Sequence, residues 1–316
     1  MRATEGFGGG PEARVTFPYL CGPIRHPLML PAAAYLSEET LDRFIASSLA
    51  EDVGDGDHSS QAAIPAEARN RARLLVKGTG VLAGVEVARR VLAAVDATLV
   101  VDVQLPDGAR VQPGDIAFTV EGPARSILTA ERLLLNCMQR MSGIATLTAH
   151  LTGIISGTRA KLLDTRKTTP GFRALEKWAV LIGGGTNHRF GLFDMVMLKD
   201  NHVDYAGGIR AAIEATHAYL KATGREHLKI EVETRNLAEV EEALATGGIH
   251  RVMFDNYPLD LLRQGVALVA GRIETEASGG ITEATIRPIA ETGVDFISVG
   301  ALTHSAGSMD LSLKAF

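Results

Sequence analysis

Cysteine is scarce in this sequence, and long apolar segments are absent. The two cysteines among the 316 residues, Cys21 and Cys137, are too few for a disulfide framework, and their spacing matches no metal site. No segment approaches the roughly 18 consecutive apolar residues of a membrane-spanning helix. The first residues, MRATEGFGGGPEARVTF, have no apolar core, so we expect no signal peptide. These absences predict a soluble protein of the reducing cytoplasm without a membrane partner.

Positive charge is concentrated in one segment, although the whole chain carries a formal charge of −5. Residues 159–202 contain eight lysines and arginines against four acids, a net +4 that leaves −9 for the remainder. Proteins that bind nucleic acids usually spread their positive charge more widely. We therefore expect a small anionic ligand at this segment and no nucleic acid.

The second half of the sequence alternates between short apolar segments and helical patterns. The apolar segments are AKLLDTRK (160–167), DMVMLKDNH (194–202), KIEVETR (229–235), RVMFDN (251–256), IETEASGG (273–280) and FISVGAL (296–302). This alternation is typical of a parallel sheet, and six consecutive units favour a closed or nearly closed β/α barrel. A doubly wound sheet is the alternative. Both folds bind ligands at the carboxyl ends of their strands.

The first half has a different pattern. LSEETLDRFIASSLAEDVG predicts an amphipathic helix with Ser37 as its N-cap, and ARLLVKG, TLVVDVQL and DIAFTVEG predict strands. A long helical pattern follows from Ser126 to about Ile155, with a break expected at Ser142–Gly143. We predict a poorly ordered extension over 1–34, a smaller α/β domain over 35–134 plus 302–316, and a barrel over 135–301.

Three groups of polar residues are expected to meet at the carboxyl ends of the strands. They are the cations Arg166, Lys167, His188, Arg189 and Lys199, the acids Glu233 and Asp255, and the small residues of ASGGI (277–281) and SVGA (298–301). Arginine and lysine bind carboxylates and phosphates, acids bind Mg²⁺ or ribose hydroxyls, and small residues leave backbone N–H groups open to phosphate. Together the groups predict a phosphorylated sugar, a metal and a further di-anion as ligands. Each group alone also has an ordinary structural explanation: a solvated surface for the cations, a strand-end ion pair for the acids and a connecting turn for the small residues.

The segment DTRKTTPGFRALEKWAVLIGGGTNHRFGLFDMVMLKDNH closely resembles the quinolinate phosphoribosyltransferase family. The resemblance continues through EVET, FDN, EASGGIT and ISVGALTHS, and backwards through AERLLLNCMQRMSGIAT and EDVGDGDHSS. It implies an open α/β sandwich joined to an incomplete barrel of about seven strands. It also implies a pentosyltransferase of NAD biosynthesis that joins quinolinate to 5-phosphoribosyl-1-pyrophosphate (PRPP), giving nicotinate mononucleotide, pyrophosphate and CO₂.

The resemblance also implies roles for individual residues. Those expected to contact substrate through side chains are Arg166, Lys167, Thr168, His188, Arg189 and Lys199, with Lys167, Glu233 and Asp255 as the catalytic set. Glu233 and Asp255 would serve the ribose and Mg²⁺. The 5-phosphate would be held by Ser278, Gly279, Gly280, Val299, Gly300 and Ala301. Arg132 would reach across a homodimer interface into the partner's site. Assembly into hexamers, and ligand contacts of Arg173 and His304, are left open.

Three alternatives remain at this point. The chain could be a paralogue of the same fold that acts on another pyridine or azole acid. Lys199 could instead be a Schiff-base nucleophile, as in barrel aldolases, if it is desolvated. A non-catalytic anion-binding relative would keep the cations but would not need both acids.

Overall fold

The computed structural model describes residues 35–316, so the extension predicted over 1–34 lies outside the described residues. Within 35–316, no helix combines the length and apolar character needed to cross a bilayer. Helices alternate with strands through the second half, and the strands there form a parallel sheet. The predicted α/β class is therefore confirmed.

The first half of the described chain begins with the predicted amphipathic helix. The Thr40 N–H donates to Ser37 Oγ at 3.1 Å, which confirms the predicted N-cap, and Leu41, Ile45 and Leu49 are the buried face. The elements of this half are α1 (Glu38–Val53), α2 (His58–Ala63), β1 (Arg69–Val76), β2 (Gly80–Val81), α3 (Val85–Val95), β3 (Val100–Val103), β4 (Arg110–Val111), β5 (Ile116–Pro123) and α4 (Ala124–Ile154).

The second half contains all six of the predicted strands and one further strand at its end. Its elements are β6 (Lys161–Leu163), α5 (Arg173–Ile182), β7 (Val196–Leu198), α6 (Asp200–Ala206), α7 (Ile209–Thr223), β8 (Ile230–Thr234), α8 (Leu237–Thr246), β9 (Arg251–Asp255), α9 (Leu259–Val269), β10 (Glu274–Ser278), α10 (Glu283–Ala290), β11 (Phe296–Ser298), α11 (Ala301–His304) and β12 (Leu311–Ala315).

The six parallel strands are hydrogen-bonded in the order β6-β11-β10-β9-β8-β7. The first strand of the half therefore pairs with the last parallel strand, while β7 to β11 follow one another in chain order. An isolated parallel bridge between Leu163 and Thr186 adds a seventh element beside β6. Every residue of β8 is buried, as expected for a parallel strand covered on both faces.

A second sheet is antiparallel and has the order β12-β1-β5-β3. Leu74 of β1 pairs with Leu313 of β12, so the end of the chain forms an edge of the sheet built by the first half. One hydrophobic cluster joins the antiparallel sheet to β6, β9, β10 and β11, and α4 contributes buried residues to it along its length. A second cluster lies around β7 and β8.

The predicted break at Ser142–Gly143 is wrong, because α4 runs unbroken through these residues. Ser142 Oγ instead accepts a hydrogen bond from the Ala83 N–H at 2.9 Å. A side chain at Gly143 would overlap the carbonyl oxygen of Gly307. The glycine is thus explained by the close passage of the C-terminal segment, and the predicted domain boundary at 134/135 falls inside this helix.

Candidate active site

A cavity of about 820 Å³ opens at the carboxyl ends of the six parallel strands. All but two of the predicted site residues line it: Arg166, Lys167, His188, Arg189, Lys199, Glu233, Asp255, Ser278, Gly279, Gly280, Val299, Gly300 and Ala301. We call the five cations among them the cationic side and the remaining eight residues the carboxylate–glycine side. The structure therefore brings together residues that are up to 135 positions apart, from Arg166 to Ala301.

Arg132 and Thr168 do not line this cavity. Arg132 is exposed on α4. Thr168 Oγ1 accepts a hydrogen bond from Arg173 Nε at 2.9 Å, and Arg173 Nη1 also donates to the Phe190 carbonyl at 3.1 Å. Arg173, which was left open, therefore binds the protein's own loop beside the cavity.

Sequence reasoning missed several residues that line the same cavity. They are Thr165, Met197, Asp200, Met253, Asn256 and Glu276. Ile281 and Ser298, from the ASGGI and SVGA segments, line the cavity as well, and so does His304, whose ligand contact the sequence leaves open. Most are immediate neighbours of predicted residues or lie two positions away along the same strand. Because alternate residues of a strand share a face, Glu276 could have been found from Ser278.

The cationic side is anchored by a buried ion pair at the end of β6. Asp164 and Lys177 are both fully buried, and Lys177 Nζ donates to Asp164 Oδ1 and to the His188 carbonyl at 3.0 Å. The His188 N–H donates to Asp164 Oδ1 at 2.8 Å, and Asn187 Nδ2 donates to Asp164 Oδ2 at 2.6 Å. Burial raises the pKa of Asp164 and lowers the pKa of Lys177, while their mutual attraction opposes both shifts. This cluster fixes the backbone that carries His188 into the cavity.

Two glycines of the GGGTN loop bring the same backbone close to α4. A Cβ atom at Gly183 would lie 2.5 Å from the Ala145 carbonyl oxygen, and one at Gly185 would lie 2.8 Å from Thr148 Cγ2. Any larger residue would push the loop away from the helix. The glycines therefore set the depth at which the next residues enter the cavity.

Arg189 lines the cavity together with Arg166. Arg189 Nη1 donates to the Met195 carbonyl at 3.1 Å. Burial and the positive charge of Arg166 both lower the pKa of Arg189. Two neighbouring guanidinium groups in one cavity favour a ligand with more than one negative charge.

His188 belongs to a buried charged cluster beneath the cavity. Its Nε2 lies 2.9 Å from Glu231 Oε2 and 3.4 Å from Glu276 Oε2. Burial alone would lower the pKa of His188, but these two acids outweigh it and raise the pKa to about 9. Burial and the charge of Glu276 raise the pKa of Glu231 to about 7. The imidazole is thus a cation at neutral pH.

Two sets of residues have the donor atoms for a metal ion. His188, Glu231 and Glu276 converge, but Arg251 Nη1 already donates to Glu276 Oε2 at 2.8 Å and supplies the compensating charge there. Glu233 and Asp255 instead face the cavity with carboxylate oxygens, the ligands that Mg²⁺ prefers. The second pair therefore fits Mg²⁺ better.

Backbone geometry shapes the carboxylate–glycine side. Gly279 and Gly280 follow β10 with φ angles of 92° and 59°, which glycine adopts readily. Within residues 35–316, the N–H groups of Gly279, Gly280 and Gly300 donate no hydrogen bond, whereas the Val299 N–H donates to the Leu163 carbonyl at 3.0 Å. Open N–H groups on two adjacent strand ends suit a phosphate.

Lys199, on the cationic side, contacts a carboxylate of the other side. Its Nζ is 3.4 Å from Glu233 Oε2, and about half of the Lys199 side chain is exposed. A Schiff-base lysine is normally desolvated, so this environment does not suit that chemistry. It suits a mobile cation that faces both a carboxylate of the protein and an anionic ligand.

Comparisons with known proteins match most of the described region. The family models for the quinolinate phosphoribosyl transferase N-terminal and C-terminal domains match residues 57–142 and 144–314. The Nicotiana tabacum quinolinate phosphoribosyltransferase [decarboxylating] 1b is 45% identical over 282 residues, which cover 84% of this chain and 80% of the relative. The chloroplastic nicotinate-nucleotide pyrophosphorylase [carboxylating] of Arabidopsis thaliana is 48% identical over 289 residues, covering 87% and 82%. The crystal structure of NadC from Streptococcus pyogenes superposes with a TM-score of 0.83 at 40% identity, covering 89% of this chain and 99% of that one.

Proposed function

The chain belongs to the quinolinate phosphoribosyltransferase family, and we propose that it transfers the phosphoribosyl group of PRPP to quinolinate, giving nicotinate mononucleotide, pyrophosphate and CO₂. The family prediction from the TRKTTPG and KDNH motifs is thereby confirmed. The observation that carries the proposal is the cavity itself, in which a cationic side faces a carboxylate–glycine side.

The cationic side suits quinolinate, a pyridine with two adjacent carboxylates. Arg166 and Arg189 offer planar donor forks, and Lys199 offers a mobile charge. Each charge-assisted hydrogen bond contributes roughly 1.5–3 kcal/mol. We assign the two carboxylates of quinolinate to this side. Binding them there also holds the ring nitrogen in line with the anomeric carbon of PRPP.

The carboxylate–glycine side suits PRPP. Ser278, Gly279, Gly280 and the Val299–Ala301 backbone are assigned to the 5-phosphate, and Glu233 and Asp255 are assigned to the ribose hydroxyls and to Mg²⁺. The ion supplies charge neutralisation for the departing pyrophosphate when it is bound. Lys167, which lies beside Gly300, is assigned to the same leaving group.

The chemistry needs positioning and charge more than proton transfer. The ring nitrogen forms a bond to the anomeric carbon as the bond to pyrophosphate breaks, through an oxocarbenium-like state. The positive charge of the resulting pyridinium stabilises the carbanion that is left on the ring carbon when the adjacent carboxylate departs as CO₂. A proton from solvent then bonds to that carbon. A cavity of fixed cations supports each of these charge changes.

We also propose that the six-stranded sheet curves into an incomplete barrel of about seven strands, which forms a catalytic domain over 135–301. Residues after β6 and β7, the two edges of the sheet, line one cavity, and the Thr186 bridge lies between these strands in sequence. Residues 35–134 plus 302–316 are proposed as the open α/β sandwich domain. The scarcity of cysteine supports a cytoplasmic location. The names of some plant relatives, however, describe those proteins as mitochondrial or chloroplastic.

The direct test incubates the protein with quinolinate, PRPP and Mg²⁺ and measures nicotinate mononucleotide and CO₂. We expect both products in equal amounts and none without PRPP. Turnover of another pyridine or azole acid, but not of quinolinate, would replace the proposed substrate by that of a paralogue. Binding of both ligands without any turnover would favour a non-catalytic relative.

We propose in addition that the protein is a homodimer in which Arg132 completes the partner's site. Arg132 is exposed on α4 and outside the cavity of its own chain. Arg132→Ala should abolish activity without unfolding the protein. Mixing it with Arg166→Ala should restore activity in hybrid dimers, because one of the two sites then carries both arginines. No recovery despite demonstrated subunit exchange would contradict the shared site.

A further inference from the structure

Asn256 has an unusual backbone conformation at the edge of the cavity. It follows Asp255 directly at the end of β9 and has a φ angle of 54°. Among the described residues, Ala270 is the other non-glycine residue with positive φ, and it caps the end of α9. No helix end explains the conformation of Asn256. Asparagine enters this region more readily than most residues, so the side chain fits the backbone.

Three contacts join Asn256 to both parts of the carboxylate–glycine side. Its Nδ2 donates to Asp255 Oδ2 at 2.9 Å, and its backbone N–H donates to the Ser278 carbonyl at 2.8 Å. Its Oδ1 fills the space that a side chain at Gly279 would need. Asn256 thus contacts Asp255, which is proposed to bind ribose and Mg²⁺. It also contacts the Ser278–Gly280 turn, which is assigned to the 5-phosphate.

We propose that Asn256 is a positioning residue that holds the Asp255 carboxylate at a fixed distance from the Ser278–Gly280 turn, and that it thereby sets the fit of the phosphoribosyl donor. This inference rests on the proposed function. The bond from Nδ2 occupies Asp255 Oδ2 and orients the carboxylate, leaving Oδ1 for a ribose hydroxyl or a metal ion. The contact with Gly279 limits how far the phosphate-binding turn can move towards Asp255.

Asparagine meets both requirements of this position. Glycine tolerates the backbone conformation but cannot donate to Asp255, and aspartate has the same shape but presents a second negative charge. Alanine satisfies neither requirement. Outer residues that orient a metal-binding carboxylate typically change ligand affinity by about 10–100-fold when they are replaced.

The test compares Asn256→Gly, Asn256→Asp and wild type, with Asn236→Gly as the matched control. Asn236 caps α8 away from the cavity, and glycine is tolerated at such caps. We expect both Asn256 variants to raise the KM of PRPP about 10–100-fold while the KM of quinolinate stays within about twofold. The thermal unfolding midpoint of Asn256→Gly and the kinetics of Asn236→Gly should match wild type.

Calorimetric titration with ribose 5-phosphate gives a second readout that needs no turnover. The two Asn256 variants should bind this probe more weakly than wild type and Asn236→Gly. Wild-type affinity of Asn256→Gly for ribose 5-phosphate, or an equal loss for quinolinate and PRPP, would overturn the positioning role. Failure of wild type to turn over quinolinate with PRPP would instead contradict the proposed function, and the titration would still decide the role of Asn256.

Discussion

The two sides of the cavity are built by different means. The cationic side consists of charged side chains, and the backbone of one of these residues, His188, is fixed by the buried Asp164–Lys177 pair. The carboxylate–glycine side combines two carboxylates with the open backbone N–H groups of Gly279, Gly280 and Gly300, and the first two of these glycines have positive φ. Side-chain forks match planar carboxylates, whereas backbone N–H groups match a phosphate. This difference supports our proposal that quinolinate binds to the cationic side and PRPP to the carboxylate–glycine side.

The largest expected effect comes from removing the buried support of the cationic side. Lys177→Met leaves the Asp164 carboxylate buried without its cation, and losing one partner of a buried pair costs about 3–5 kcal/mol of unfolding free energy. Urea unfolding measures this loss. The control is Lys229→Met, which removes an exposed ion pair with Glu274 and should cost about 0–1 kcal/mol. Equal losses in both variants would show that Asp164 does not depend on Lys177.

The next effect separates the two substrates. Arg189→Ala should raise the KM of quinolinate about 10- to 150-fold, the equivalent of one lost charge-assisted hydrogen bond, with little change for PRPP. Gly279→Ala should raise the KM of PRPP with little change for quinolinate, because the added methyl group collides with Asn256 on the carboxylate–glycine side. Steady-state kinetics with each substrate varied in turn measure both values.

Gly224→Ala is the control for backbone strain in this comparison. Gly224 also has positive φ, but it ends α7 and has no neighbour where its Cβ would stand. Its variant should keep both KM values. If Arg189→Ala and Gly279→Ala each raised the KM of both quinolinate and PRPP, the two sides of the cavity would not bind different substrates.

The smallest effect concerns pH and the cationic side alone. The pKa of His188 is raised from 6.5 to about 9, so the stability that its charge contributes is fully present below pH 6.5 and is lost as pH rises through about 9. Loss of this cation should also raise the KM of quinolinate above about pH 9. His188→Gln should lack both transitions when KM and urea midpoints are measured across this range. Persistence of the transitions in His188→Gln would assign them to another group.

The pattern of strand ends was predictable from the sequence, whereas the supports of those ends were not. Each parallel strand places a residue such as Lys199 or Asp255 at its carboxyl end, and these ends lie on the same side of the sheet. The alternation of strands and helices in the sequence is therefore enough to bring these residues together. The pairing of Asp164 with Lys177 depends on how α5 packs, which periodicity does not give. Gly143 shows a wrong prediction with the same cause. Its presence in the helix suggests a break, but it permits close packing against the C-terminal segment, which the local sequence does not reveal.

The central claim is that quinolinate and PRPP bind to different sides of the cavity. Its most direct test is a crystal structure with quinolinate and a non-hydrolysable PRPP analogue bound together. We expect both quinolinate carboxylates against Arg166, Arg189 and Lys199, and the 5-phosphate against the N–H groups of Gly279, Gly280 and Gly300. A 5-phosphate bound to Arg166 and Arg189, with quinolinate on the glycine turn, would contradict it.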